Sequence, residues 1–264
     1  MKKLKKILSN SFLWLVMLFF YLPIFYVILF SFNESKSLTK FSGFSLQWYQ
    51  KMFESRSVRE AIYYTLIIAV LATIISTIVG TLTAIGLSKS NKVLKAVVLQ
   101  INDIPMMNPD IVTAIGFMLL FSSLGVQKGF ATILLAHVSF CIPYVILSVM
   151  PKLRQLDDNV AEAALDLGAT PIQALWKVII PQIAPAIASG ALIAFSMSFD
   201  DFVISFFTAG VDVQNISMYV YSMKRFNPSV NALSTLIVVM VTIVLVIANL
   251  VPAMRDRKEK KEEV

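Results

Sequence analysis

The chain has a single cysteine, Cys141, and a single histidine, His137, in 264 residues. One thiol excludes a disulfide within the chain and a thiolate zinc cluster, and one imidazole excludes a multi-histidine metal site. Charge is scarce too. Only 15% of residues are charged against 57% hydrophobic, a balance that an ordinary water-soluble domain does not have. No Gly-Lys dipeptide occurs, which excludes the usual phosphate-cradling loop, so the chain is expected to bind no ATP and no other cofactor of its own. The patterns Gly-x-Gly-Asp, His-Glu-x-x-His and Gly-x-Ser-Gly are absent as well. An aspartyl membrane enzyme using Asp103, Asp110 or Asp200 as acid–base groups therefore stands as a remote alternative without a motif.

What is present is length of apolar sequence. Six stretches, at about residues 11–32, 61–87, 97–121, 129–150, 183–208 and 232–254, approach or exceed the ~20 residues that cross a ~30 Å hydrocarbon layer as a helix. The first follows Met-Lys-Lys-Leu-Lys-Lys, yet it is too long for a signal-peptide core and no small-residue cleavage pattern follows, so it reads as an uncleaved anchor. The net charge of +7 points to topology rather than to nucleic acid. With both termini in the cytoplasm, fifteen of the 23 basic residues fall inside, among them Lys89, Lys92, Lys95, Lys152, Arg154 and Lys177. That excess predicts a multi-pass membrane protein with this orientation. Residues 1–60 read as the anchor and an external loop, in which Trp48, Tyr49 and Phe53 are expected on a short helix at the headgroup level. Residues 61–254 read as the transmembrane domain and 255–264 as a charged tail.

The connection between the fourth and fifth stretches, residues 151–182, is too long and too regular for a simple linker. Asp157, Asp158 and Asn159 offer N-caps for one short helix, with Glu162 three residues after Asn159 and Gly168 as a left-handed stop. A second helix starts with Thr170 as cap, Pro171 at the first helical position and Gln173 three after the cap, and is expected to stop before Pro181.

Ionisable groups inside a bilayer are costly unless they are paired or line a polar pathway. Asp103 and Asp110 lie in the third stretch and Asp200 and Asp201 in the fifth, and neither stretch contains a lysine or arginine. Pro105 and Pro109 are expected to break the third helix. Counting ~1.5 Å per residue from Lys95 and Gln182 puts Asp110 roughly 22 Å deep and Asp200 roughly 27 Å deep, a shared level suited to a cation pathway. Phe199, Phe202, Tyr219 and Tyr221 are candidates for ring-face contact with that cation. The alternatives are that Asp110 caps the helix after the break, that Asp201 bonds nearby backbone, and that the rings pack. His137 is expected as a hydrogen-bonded packing residue, and Gly80, Gly86 and Gly190 as points of close helix approach.

Glu162-Ala163-Ala164, three residues, Gly168, nine residues, and Val178-Ile179-Ile180-Pro181 resemble the EAA loop of binding-protein-dependent ABC importer permeases. The resemblance implies an all-α type I (MetI-like) transmembrane domain with six helices. It also implies that Glu162, Ala163, Ala164 and Gly168 form a coupling helix against a cytoplasmic ATPase. The implied partners are a homologous second permease, two ATPase subunits carrying ATP and magnesium, and an external substrate-binding protein. The segment from Ser198 to Phe207 is similar to spermidine/putrescine permease subunits of the C type, which implies a polyamine pathway. Permeases for iron, sulfate, thiamine or phosphonate share the architecture and stay open as alternatives.

Overall fold

Long apolar runs interrupted by proline, glycine and polar caps give a chain built almost wholly of helices. The computed structural model describes residues 2–157, 159–223, 228–243 and 246. Asp158, Lys224, Arg225, the last part of the sixth apolar stretch and the tail 255–264 lie outside the described residues. In order, the helices are α1 (Lys2–Ser31), α2 (Gln47–Glu54), α3 (Arg56–Ser88), α4 (Lys92–Met107), α5 (Asp110–Ser123) and α6 (Phe130–Gln155). They continue as α7 (Asn159–Asp166), α8 (Pro171–Ala174), α9 (Ile180–Asp200), α10 (Val203–Thr208), α11 (Ile216–Ser222) and α12 (Ser229–Ile243). Four helical stretches, Ser11–Ser31, Arg56–Ser88, Phe130–Gln155 and Pro171–Asp200, are long and apolar enough to cross a bilayer, and α4 with α5 forms a further, bent pair.

The third apolar stretch is not a straight span. Its two arms are bent by 105° from a straight line, and neither arm, at ~24 Å or less, crosses the bilayer alone. Pro105 does not break the helix, because it sits in the last turn of α4, where Asn108 N–H still reaches Ile104 O at 3.1 Å. The break falls at Asn108–Pro109, where the ring of Pro109 drives Asn108 to an extended backbone (φ −78°, ψ 143°). A linear depth count therefore fails for Asp110. Pro181, expected to stop a helix, is likewise passed. The turn at Leu175–Ile179 widens to a π-helix, Ile180 N–H donates to Leu175 O, and Gln182 Nε2 donates to Val178 O at 3.0 Å. The wide turn reshuffles the hydrogen-bond ladder just before the residue that has no N–H to give, and α8 runs on into α9.

The chain divides into two compact units, one of Met1–Arg59 with Met223–Val264 and the other of Glu60–Ser222. In the first, Asn33 organises the segment after α1. Its amide donates to Ser37 O and Lys40 O at 2.9 and 3.0 Å and accepts from Ser42 N–H at 2.9 Å. Trp48 is turned into the protein rather than outward. It is 3% exposed and its indole N–H donates to Asn33 O at 2.6 Å, because a buried indole needs one polar partner and this carbonyl supplies it. Tyr49 bonds Ser31 Oγ through its hydroxyl at 2.8 Å, and Phe53 is exposed.

The second unit is organised around α6, whose Ile133, Ala136, Phe140, Cys141, Val145 and Val149 recur at helical spacing and are buried. Small residues let neighbours approach it. A Cβ on Gly80 of α3 would lie 2.8 Å from Val145 Cβ, and one on Gly190 of α9 3.2 Å from Ser148 Cβ. Gly86, expected to do the same, faces open space, since no atom lies within 4 Å of a Cβ placed there. Polar groups complete the α6–α9 contact, with Ser148 Oγ donating to Ala186 O at 2.9 Å.

Candidate functional site

The acidic residues sit where helices end. The helix α9 stops at Asp200 because Asp201 turns to an extended backbone (φ −64°, ψ 129°), and α10 starts two residues later. Asp201 caps the new helix, accepting from Ile204 N–H at 3.2 Å and from Ser205 N–H at 2.7 Å. Its carboxylate also lies 3.4 Å from His137 Nε2. His137, 1% exposed on α6, is bonded at both ring nitrogens, to Ser198 Oγ at 2.7 Å through Nδ1 and to Ser205 Oγ at 2.9 Å through Nε2. Asn215 closes the cluster, donating to Ser205 Oγ and to Asp201 O, each at 2.9 Å. One imidazole thus ties α6 to both sides of the α9–α10 break.

Above this cluster lies a cavity of about 350 Å³ whose lining includes Asp110, Asp200, Asp201, Phe202 and Tyr144. Asp110 is the first residue of α5 and makes no side-chain capping bond, so it does not serve as the cap after the proline break. Among the described residues, neither Asp110 nor Asp200 has a hydrogen-bonding or ionic partner, and both are exposed toward the cavity side. Asp201 is different, since its oxygens are already engaged. Asp103 lies elsewhere, lining a separate cavity with Leu99 and Arg154. Phe199 stacks on Phe195 at 5.6 Å, and Tyr221 packs on Phe202 at 4.8 Å. Tyr219 is half-buried on α11 and lines neither cavity.

Sequence reasoning passed over Tyr144 and Thr113, which also line the acidic cavity. Tyr144 carries a signal after the fact: His137, Phe140 and Tyr144 stand at i, i+3 and i+7, one face of a helix. The engagement of Asp201 with His137 had no local signal, because the partners are 64 positions apart.

The residues of the EAA loop occupy a second site. Helix α7 ends as its glycine requires: Gly168 has φ +86°, and Ala169 N–H returns to Ala164 O at 3.0 Å. Thr170 and Gln173 then form a reciprocal capping box at 3.3 and 2.9 Å. Asp157 Oδ1 accepts from Asn159 N–H at 3.0 Å at the start of α7. Glu162 and Ala163 are exposed and Glu162 has no partner among the described residues. Around them Leu167, Ile172 and Trp176 are also exposed, at 90%, 70% and 61%.

A helical membrane protein with an acidic cavity at a broken span and an ordered, protruding loop between spans has the form of a transport component. Residues 76–260 match the family of binding-protein-dependent transport system inner membrane components, and the chain belongs to that family. It is 37% identical over 246 residues to the spermidine/putrescine transport system permease protein PotC of Haemophilus influenzae, covering 92% of this chain and 96% of that one. It is 38% identical over 240 residues to the putrescine transport system permease protein PotI of Escherichia coli, covering 87% and 85%. In fold it is similar to the crystal structure of a bacterial ABC transporter that imports the acidic polysaccharide alginate, with a TM-score of 0.75 at 19% identity over 95% of this chain and 96% of that one.

Proposed function

We propose that this chain is a permease subunit of an ATP-driven importer of polyamines of the spermidine and putrescine class. It forms half of a translocation pathway and works by alternating access, without covalent chemistry. The observation that carries the substrate class is the cavity in which Asp110 and Asp200 stand without counter-ions among the described residues. A carboxylate in such a place is tolerable when a mobile cation supplies the missing charge, and a polyamine presents ammonium groups along an apolar chain that suits the Phe202 and Tyr144 walls. Fold by itself does not select cargo, since the similar alginate transporter carries a polyanion. The support for a polycation is therefore the charge of this cavity together with the names of the relatives, PotC and PotI.

In this reading a homologous second permease completes the pathway, two cytoplasmic ATPase subunits hold ATP and magnesium, and an external polyamine-binding protein delivers substrate. The chain binds no cofactor of its own. Both termini and α7–α8 face the cytoplasm, where Glu162, Ala163, Ala164 and Gly168 meet the ATPase. The exposed apolar side chains Leu167, Ile172 and Trp176 support a docking role for this loop, because such a group in water is normally covered by a partner. Proteoliposomes containing the assembled importer test the substrate claim. Asp110→Asn with Asp200→Asn is expected to abolish labelled spermidine uptake while the binding protein still docks. Wild-type uptake by that double variant rejects the cavity as the cation pathway.

A further inference from the structure

Away from the acidic cavity, the unit Glu60–Ser222 holds a chamber of the opposite charge. It has a volume of about 330 Å³ and lies where α3 ends, α4 begins and α6 ends. Lys89 follows the last residue of α3, Lys95 is in the first turn of α4, and Arg154 is in the last turn of α6, and all three line it. The carboxylate among the described lining residues, Asp157, already accepts the Asn159 N–H. None of the three cations has a hydrogen bond or ion pair among the described residues. Lys89 and Arg154 do complement the negative ends of α3 and α6, but Lys95 sits at the positive end of α4, where a cation is unfavourable without an anion nearby. Apart from Ser88 the remaining wall is apolar, including Ile85, Leu156 and Ile179.

A second chamber, of about 220 Å³, adjoins it at Arg154, which lines both. Lys95 and Leu99 are one turn apart on α4, and Met150 and Arg154 are one turn apart on α6, so the inner chamber lies ~6 Å further along the helices. Its wall contains Leu99, Ile146, Leu147 and Met150. Asn102 and Asp103 also line it, and the Asp103 carboxylate disfavours an anion there. The charge census thus has direction: an anion is favoured in the outer chamber and repelled from the inner one, whose walls are largely aliphatic.

We propose that the two chambers hold one anionic phospholipid, its phosphate between Lys89, Lys95 and Arg154 and the start of an acyl chain against Leu99, Leu147 and Met150. Inorganic phosphate offers the same charged group without the chain. The apolar inner chamber joined to the outer one through Arg154 is what favours the lipid. Basic side chains at the level of the headgroups are the general means by which membrane proteins retain such lipids. This inference rests neither on the polyamine reading nor on which side of the membrane the loop faces.

Native mass spectrometry of the assembled importer, released from detergent, tests it with three probes: phosphatidylglycerol, phosphatidylcholine and inorganic phosphate. Phosphatidylglycerol adducts are expected to be retained, phosphatidylcholine adducts to be lost, and millimolar phosphate to leave the former in place. Lys89→Gln, Lys95→Gln and Arg154→Gln should each lower phosphatidylglycerol occupancy about fivefold. Leu99→Trp, which fills the inner chamber and keeps every cation, should lower it as well. Equal retention of the two lipids overturns the proposal, and so does displacement of phosphatidylglycerol by phosphate, which assigns the chamber to a soluble anion. The comparison of probes on the unmodified complex decides the matter even if a variant fails to assemble.

Discussion

The α7–α8 loop and the α9–α10 break are both short interruptions of helix, but they are held by opposite means. Among the described residues the hydrogen bonds and turns that shape the loop are local: Gly168 turns the chain at φ +86°, and Thr170 and Gln173 cap each other three residues apart. The break has a local cap in Asp201 but is also tied from a distance, by His137 reaching Ser198 and Ser205 across 61 and 68 positions. A locally specified loop keeps its shape while its surface stays open to a partner. A break specified at long range moves only if the helix that grips it moves. The first suits a rigid lever, and the second suits a pathway whose geometry follows the packing of α6.

Removing the long-range grip should produce the largest effect. His137→Ala strips Ser198 Oγ of its partner, takes one of two from Ser205 Oγ, and empties a fully buried position beside Asp201, a loss of roughly 2–5 kcal/mol. The expected outcome is a large fall in the thermal unfolding midpoint of the detergent-solubilised protein, together with loss of uptake. If the midpoint stays within a degree of wild type, the cluster does not hold the break. The helix that carries the grip can also be displaced without touching it. Gly80→Val forces a Cβ to within 2.8 Å of Val145 and should cost about 1–3 kcal/mol by overpacking. Gly86→Ala, with open space at its position, is expected to be neutral or mildly stabilising. Equal unfolding midpoints for these two variants would show that α3 does not pack on α6 in this register.

The loop responds differently, in coupling more than in stability. Gly168→Val puts a β-branched residue at φ +86°, a strain of about 1–2 kcal/mol. Glu162→Lys reverses an exposed charge without strain. Both variants are expected to insert normally while substrate-stimulated ATP hydrolysis in proteoliposomes is lost. Unchanged stimulated hydrolysis in both would remove the loop from the coupling step.

This contrast also explains which features could be read before the fold was known. The ends of α7 and the start of α8 depend on residues within five positions of one another, so cap, proline and glycine sufficed to place them. The convergence of Asp110 with Asp200 and Asp201 followed from scarcity, because few carboxylates occur in the apolar stretches at all. Depth counting reached the same pairing through a straight helix that does not exist, and Asp103 shows the weakness of that route, since it faces another cavity. The passage of α9 through Pro181 depends on a π-turn, which has no sequence signature. The burial of Trp48 had no local signal, because it depends on the Asn33 carbonyl, 15 residues away. Of the two roles of Asp201, the bond to nearby backbone was legible within its own segment, whereas the imidazole comes from another helix and was not.

The smallest effect is also the sharpest test of locality. Thr170→Ala removes one arm of the capping box, leaving the Gln173 N–H without its side-chain acceptor at the start of α8, and should cost about 1 kcal/mol. If the loop is specified locally, that cost stays local. Hydrogen exchange should accelerate about fivefold at the first amides of α8 and remain unchanged at the Ile204 and Ser205 amides, which Asp201 caps. The wide turn at Leu175–Ile179 lies between the two regions, and its ladder is already irregular, so it is a poor conduit for fraying from α8 into α9. Faster exchange at Ile204 and Ser205 in Thr170→Ala would mean that the loop and the break form one cooperative element, and the lever and the pathway would then have to be described as a single moving part.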